Sequence, residues 1–192
     1  HPSVIQALKN PQDMHRNLMR AFEAQGASRK EVKLLYRLDV PRAALLVSSQ
    51  ALPAWERVPG YCCEGIKEIE ALKKAFIRGR CLNFELLAIL AKKVKREGRH
   101  SHRVFLRGKE ERADWLKRQG VKYGFELVCP PAQSPSCQID GAKDGMNICY
   151  TAVCFSGTLR ITDPEAFWHA YTEGVGAGKA YGLGMLSVKK RE

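Results

Sequence analysis

The chain has 192 residues, enough for one or two domains, and its 32 Lys and Arg against 20 Asp and Glu give a net charge of +12. This excess favours a polyanionic partner, nucleic acid before an anionic membrane surface, and no apolar run is long enough to span a bilayer. The seven cysteines include no Cys-x-x-Cys pair, so we expect reduced thiols in a cytoplasmic protein, without a disulfide framework or a structural zinc site.

The first half of the chain predicts a helix followed by strands. Asn10 is a favourable helix cap, Pro11 suits the first helical position, and apolar residues at helical spacing continue until Gly26 ends the helix. Apolar, β-branched and aromatic residues between turn signals then indicate strands. The predicted strands cover residues 32–39, 42–50 and 61–70.

The second half predicts the order strand, helix, strand, strand, helix, strand. One helix covers 109–120 and is closed by Gly120, and another begins at Asp163-Pro164. Residues 129–145 are rich in Pro, Ser and Gly, which predicts a mobile loop. The predicted strands are CLNFELLAILAKKVK, YGFELVC, NICYTAVCFSGTLRIT and LGMLSVKK.

These elements predict an α+β protein built from two ferredoxin-like (RRM-like) domains. The second half matches a complete βαββαβ unit, and the first half matches the same unit without its first strand. A basic connector near 71–80 separates them, so we expect an N-terminal domain at 1–75 and a C-terminal domain at 80–192.

A basic segment predicts an RNA-binding hairpin. Between residues 92 and 118 eleven Lys and Arg stand against four acidic residues, and Gly98 interrupts the beginning of this run. A solvated loop is the alternative, but the positive charge of the whole chain favours phosphate binding. His100 and His102 have no acidic or thiol cluster beside them, and we expect no metal site there. The candidate RNA-binding residues are Lys92, Lys93, Lys95, Arg96, Arg99 and Arg103.

His15 is the candidate catalytic residue. It lies at the edge of the apolar stripe of the first helix, with Gln12, Arg16 and Arg20 on the polar side beside it. A histidine can move a proton in either direction near neutral pH, and arginines can stabilise charge that builds on a phosphate. This set could cleave RNA without metal through attack by a ribose 2′-hydroxyl. A structural role for His15 is the alternative.

The segment GVGAGKAYGLG, residues 174–184, matches neither of two nucleotide-binding motifs. Glu173 and Ala180 stand where a P-loop needs Gly and Ser or Thr, and no βαβ unit follows to complete a dinucleotide fingerprint. Its pattern is Gly-h-Gly-x5-Gly-h-Gly, where h is apolar. Such a loop can bring backbone against RNA phosphates, or it can close a tight turn between the domains. The candidate RNA-binding residues are Gly174, Gly176, Lys179, Gly182 and Gly184.

The sequence resembles the CasE-type CRISPR-associated endoribonucleases over nearly its whole length. The helix PQDMHRNLMRAF is similar to their Pro-x-x-Met-His-Arg-x-Leu-x-x-Ala-Phe motif. Further similar segments follow in the same order: KKVKREGR, EERADWLKRQG, GFEL, VCFSGTLRITDPEAF and GVGAGKAYGLGMLSV.

The resemblance implies tandem ferredoxin-like domains of the RAMP type and metal-independent cutting of CRISPR repeat hairpin RNA. The products would carry 2′,3′-cyclic phosphate and 5′-hydroxyl ends, and the enzyme would keep the mature crRNA within the Cascade complex. It implies no cofactor and no membrane partner. His15 falls on the family's catalytic histidine, while Gln12 stands where some members carry a catalytic tyrosine.

Three interpretations therefore remain open from the sequence. The first is a repeat-RNA endoribonuclease, and the second is a non-catalytic crRNA-binding subunit of the same lineage. The third is a nucleotide-binding enzyme that uses the glycine-rich loop. Salt-sensitive RNA binding separates the first two from the third, and cleavage in the presence of a chelator separates the first from the second.

Overall fold

A computed structural model describes residues 7–23, 26, 28–39, 42, 44–94, 102–143 and 146–191 of the chain. The first elements are α1 (Pro11–Glu23), α2 (Arg29–Val32), β1 (Leu35–Asp39), β2 (Ala44–Ser48), a 3-10 turn (Trp55–Arg57) and α3 (Glu70–Lys73). The next are β3 (Cys81–Ile89), β4 (Ala91–Val94), β5 (His102–Phe105), α4 (Lys109–Tyr123), β6 (Phe125–Leu127), β7 (Ala132–Gln133) and β8 (Cys137–Lys143). The last are β9 (Met146–Ile161), α5 (Pro164–Glu173), a second 3-10 turn (Lys179–Tyr181) and β10 (Leu186–Lys190). None of the helices in these ranges has the length and apolar character needed to cross a membrane.

The second half forms the predicted ferredoxin-like unit. Its main sheet has the strand order β10-β3-β9-β6, and all neighbouring strands are antiparallel. The first strand of the βαββαβ unit thus lies between the fourth and the third, which defines this fold. Apolar residues of β3 and β9 point to one face, where they meet α4 and α5 around Leu116, Phe155 and Phe167.

The N-terminal half has its own core and a smaller sheet. The apolar face of α1, with Leu18 and Phe22, packs with Val32, Tyr36 and Val58. Strands β1 and β2 pair antiparallel, and within the described residues they are the whole of this sheet.

The prediction of a strand at 61–70 is wrong, because the segment is irregular until α3 begins. Three charged residues and a glycine separate its few apolar side chains, so no continuous apolar face can be buried. Ile66 is 58% exposed, which agrees with this explanation.

Three predictions for the second half also need correction. The segment CLNFELLAILAKKVK is not one strand, because it divides at Leu90 into β3 and β4, which lie in different sheets. Helix α4 does not end at Gly120, which lies inside the helix where it packs against Phe125. The helix ends instead at Gly124, whose φ of +66° is the left-handed conformation of a helix cap. The predicted loop at 129–145 contains β7 and β8, which pair with β9 because that 16-residue strand extends beyond the rest of the sheet.

The two halves contact each other through side chains of β1 and the residues around it. Arg37 of β1 forms an ion pair with Glu85 of β3, with 2.6 Å between Nη2 and Oε2. The β8–β9 hairpin reaches the start of α1, since a Cβ on Gly141 would lie 2.9 Å from Oδ1 of Asn10. These contacts bring the N-terminal helix close to the loop that follows α5.

Candidate active site and RNA-binding surface

Helix α1 presents His15 at the boundary between its buried and exposed faces. Asn10 caps the helix as predicted: its Oδ1 accepts a hydrogen bond from the backbone N–H of Gln12 at 3.2 Å. Met14 and Leu18 are buried on the apolar face, and His15 is 7% exposed beside them. The position of the imidazole is therefore set by a helix whose apolar face is fixed in the core.

His15 lines a cleft of about 290 Å³ that also receives residues from the second half of the chain. Its walls come from α1, the start of β1, the end of α5 and the second 3-10 turn. The lining residues are His15, Met19, Lys33, Leu34, Leu35, Glu173, Lys179 and Ala180. The structure thus brings His15 and Lys179 together, although they lie in separate motifs of the sequence.

The other predicted catalytic residues do not share the cleft with His15. Arg16 and Arg20 are exposed as expected, and Nη1 of Arg16 lies 2.9 Å from Oδ1 of Asp13. Gln12 was expected on the polar side but is only 8% exposed, because the second 3-10 turn and β8 both pack against α1. None of these three residues is among the lining residues of the cleft.

An ion pair crosses this cleft. Nζ of Lys33 lies 2.7 Å from Oε1 of Glu173, and Nδ1 of His169 lies 3.5 Å from the same oxygen. The hydrogen bond from Lys33 is the main cause that holds the pKa of Glu173 below its usual value, so this carboxylate stays ionised at neutral pH. The cleft therefore contains two lysine ammonium groups and one carboxylate.

The glycine-rich loop packs closely against its surroundings. The backbone N–H of Val175 donates to the carbonyl of Gly184 at 2.7 Å, and the N–H of Gly184 donates to Leu87 of β3 at 2.8 Å. A Cβ on Gly182 would lie 2.9 Å from the ring of Tyr36. Internal packing thus accounts for these glycines, as in the tight-turn interpretation, while Lys179 projects into the cleft.

Tyr36 is a residue that sequence analysis missed. Its hydroxyl lies 3.1 Å from the carbonyl oxygen of Pro11, at the start of α1, and 3.0 Å from that of Ala180, beside Lys179. Burial raises the pKa of Tyr36 well above its usual value, so the hydroxyl keeps its proton and donates. In the sequence, a tyrosine within an apolar strand indicates only a core position.

Replacing Tyr36 by phenylalanine should slow RNA cleavage by about 3- to 10-fold, because the link between α1 and the Lys179 turn would be lost. Stability should fall by only about 1 kcal/mol. Single-turnover kinetics and hairpin binding, measured in parallel, should show the change in the rate and little change in Kd. Tyr171→Phe, which removes a hydroxyl from α5, serves as control. Equal rates for the two variants would show that Tyr36 does not position the site.

Strands β4 and β5, at the two ends of the predicted basic hairpin, pair antiparallel. Nζ of Lys92 lies 3.1 Å from Oε1 of Glu111 on α4, and this hydrogen bond lowers the pKa of the carboxyl group. Both side chains of this pair are about half exposed, so Lys92 remains accessible to a phosphate. The side chains of Lys93 and Arg103, and the whole of Lys95, Arg96 and Arg99, lie outside the described residues.

A ferredoxin-like fold with a cleft lined by histidine and lysine fits a protein that acts on RNA. Residues 1–190 match a family model described as CRISPR associated protein, and the chain belongs to this family. It is 32% identical to the CRISPR-associated endoribonuclease Cse3 of Thermus thermophilus, over 94% of this chain and 90% of that protein.

Solved structures agree with this relationship. A CRISPR endoribonuclease Cse3 bound to 19 nt RNA is 28% identical, with a TM-score of 0.81 over 98% of this chain and 94% of that one. A chain of a CRISPR RNA-guided surveillance complex in a pre-nicking state shares the fold. Its TM-score is 0.74, its identity is 24%, and the match covers 95% of this chain and 91% of that one.

Proposed function

We propose that this protein is an endoribonuclease that cleaves CRISPR repeat hairpin RNA into mature crRNA and remains bound to the product. The observation that carries the proposal is the shared cleft, in which His15 from the N-terminal helix meets Lys179 from the glycine-rich loop. Both residues fall in segments that resemble the CasE-type enzymes. Relatives with the same fold include an endoribonuclease and an RNA-bound form of it.

The reaction needs only proton transfer and charge stabilisation, which this site can supply without metal. His15 accepts the proton of the ribose 2′-hydroxyl as that oxygen attacks the adjacent phosphorus, and the imidazolium then returns the proton to the 5′-oxygen as the bond between phosphorus and that oxygen breaks. Lys179 stabilises the negative charge that builds on the phosphate. The products carry 2′,3′-cyclic phosphate and 5′-hydroxyl ends.

RNA outside the cleft is held by positive charge on neighbouring elements. Arg16 and Arg20 flank His15 on the exposed side of α1 and contact nearby phosphates, and Gln12 supports the helix from its buried side. The backbone of the glycine-rich loop approaches the RNA beside Lys179. The β4–β5 hairpin, with Lys92, Lys93, Lys95, Arg96, Arg99 and Arg103, binds the stem.

The proposed domains and partners follow from the same arrangement. Two separate cores, one around Leu18 and Phe22 and the other around Phe155 and Phe167, support domains at 1–75 and 80–192. The partners are the repeat hairpin, the crRNA and the other subunits of Cascade. The shared fold with a chain of a CRISPR RNA-guided surveillance complex supports that assembly.

We expect purified protein to cut a repeat hairpin at full rate in excess EDTA and to form a product with a 2′,3′-cyclic phosphate end. The same hairpin with a single deoxyribose immediately 5′ of the cut should bind normally and stay intact, because the attacking hydroxyl is missing. Gel analysis and mass spectrometry of the product ends test both statements. Cleavage of the deoxyribose substrate, or activity lost to EDTA and restored by a divalent metal, would contradict the mechanism.

A non-catalytic crRNA-binding subunit is the second candidate. The observation in its favour is Gln12, which stands where some of the resembling enzymes carry a catalytic tyrosine and which is buried here. Tight hairpin binding without cleavage under all conditions would favour this candidate over the first.

A further inference from the structure

Lys33 has an unusual backbone conformation at the entrance of β1. Its φ is +45°, and among the described residues it is the only non-glycine residue with a positive φ. A side chain with a Cβ adopts this left-handed conformation at a cost in free energy, and such positions are concentrated at functional sites. The conformation directs the chain of Lys33 into the same cleft as His15 and Lys179.

Glu173, the ion-pair partner of Lys33, occupies an unfavourable position in its own helix. Glu173 is the last residue of α5, where the negative end of the helix dipole disfavours a carboxylate. Helix stability therefore does not explain an acidic residue at this position. Lys33, at 2.7 Å, offsets the unfavourable placement.

The ion pair is also open to exchange. The side chains of Lys33 and Glu173 are 36% and 39% exposed, so water reaches both groups and their mutual attraction is partly screened. An RNA phosphate that enters the cleft would compete with Glu173 for the ammonium group. The carboxylate would in turn repel that phosphate.

We propose that Lys33 is a further RNA-binding residue of this site, and that Glu173 is the counter-ion it leaves when an RNA phosphate enters the cleft. The inference rests on the proposed function, because it takes RNA as the ligand. Glu173 keeps Lys33 in the cleft of the free protein, and it lowers RNA affinity through competition for the same ammonium group.

The test is hairpin binding at several salt concentrations by variants made in a His15→Ala background, in which the RNA remains uncut. Lys33→Ala should weaken binding by about 5- to 20-fold and reduce the log–log salt slope by about 0.7 to 0.9, as expected for one phosphate contact. Glu173→Gln should instead tighten binding by about 2- to 5-fold. Lys33→Arg should bind nearly as well as the parent.

Opposite signs for the two variants separate this inference from a purely structural ion pair. If the pair only holds the two halves together, Lys33→Ala and Glu173→Gln will shift the affinity in the same direction. Lys33→Gly guards against misfolding, because glycine accepts a φ of +45° without strain. It should lose affinity as Lys33→Ala does. Arg42→Ala, which removes an equal charge from the exposed Arg42–Asp39 pair at the turn between β1 and β2, should change affinity by less than about twofold.

The same measurements distinguish failure of this inference from failure of the proposed function. If the His15→Ala parent does not bind the repeat hairpin, the proposed function itself is overturned. If the parent binds and Lys33→Ala or Lys33→Gly binds equally well, only the role of Lys33 is overturned.

Discussion

Replacing His15 by alanine should reduce the rate of hairpin cleavage by about 1,000-fold while hairpin binding changes by less than about twofold. General acid–base catalysis by a positioned side chain contributes about 100- to 10,000-fold, and alanine removes the only imidazole among the residues that line the cleft. Binding depends mainly on phosphate contacts elsewhere. Single-turnover cleavage with enzyme in excess over RNA measures the chemical step, and a filter-binding titration measures Kd.

His169→Ala is the matched control for this prediction. His169 lies on α5 with its side chain 64% exposed, and it is not among the lining residues of the cleft. Its replacement should leave the cleavage rate within about twofold of the original. Full-rate cleavage by His15→Ala would remove His15 from the mechanism. Equal losses for both histidine variants would point to a general effect on folding.

The second half of the fold could be predicted from sequence because its signals are local. Asp163 caps α5 through hydrogen bonds from Glu165 and Ala166, with Pro164 at the first position, as the sequence indicates. The errors arose at positions where tertiary contacts determine the local structure. Glycine is typical of a helix end, yet Gly120 lies inside α4, where Phe125 is too close for a residue with a Cβ.

The candidate site could be predicted residue by residue but not as an assembly. His15 and Lys179 were identified from separate motifs, and nothing local in the sequence says that they share a cleft. That proximity depends on packing between the two halves, including the contact of Tyr36 with Pro11 and Ala180. Lys33 was missed for the same reason, since its positive φ and its partner 140 positions away leave no pattern in the sequence.

Replacing Gly184 by alanine should destabilise the protein by about 3 kcal/mol or more, through backbone strain and a steric clash together. Gly184 has a φ of +80°, which costs a residue with a Cβ about 1 to 2 kcal/mol. The new Cβ would also lie 2.6 Å from the carbonyl oxygen of Val175, a backbone atom that cannot rotate away. Relieving that clash would disturb the hydrogen bonds that join the loop to β3.

Thermal unfolding should reveal this loss as a fall in Tm of roughly 6 to 12 °C, at about 2 to 4 °C per kcal/mol for a chain of this size. Gly79→Ala separates the two causes, because Gly79 has a φ of +84° with nothing within 4 Å of the added Cβ. That control should show the conformational cost alone, about 1 to 2 kcal/mol. If Gly184→Ala unfolds at the same temperature as Gly79→Ala, the clash with Val175 has no cost in stability. The close packing of the glycine-rich loop against its own backbone would then not stabilise the fold.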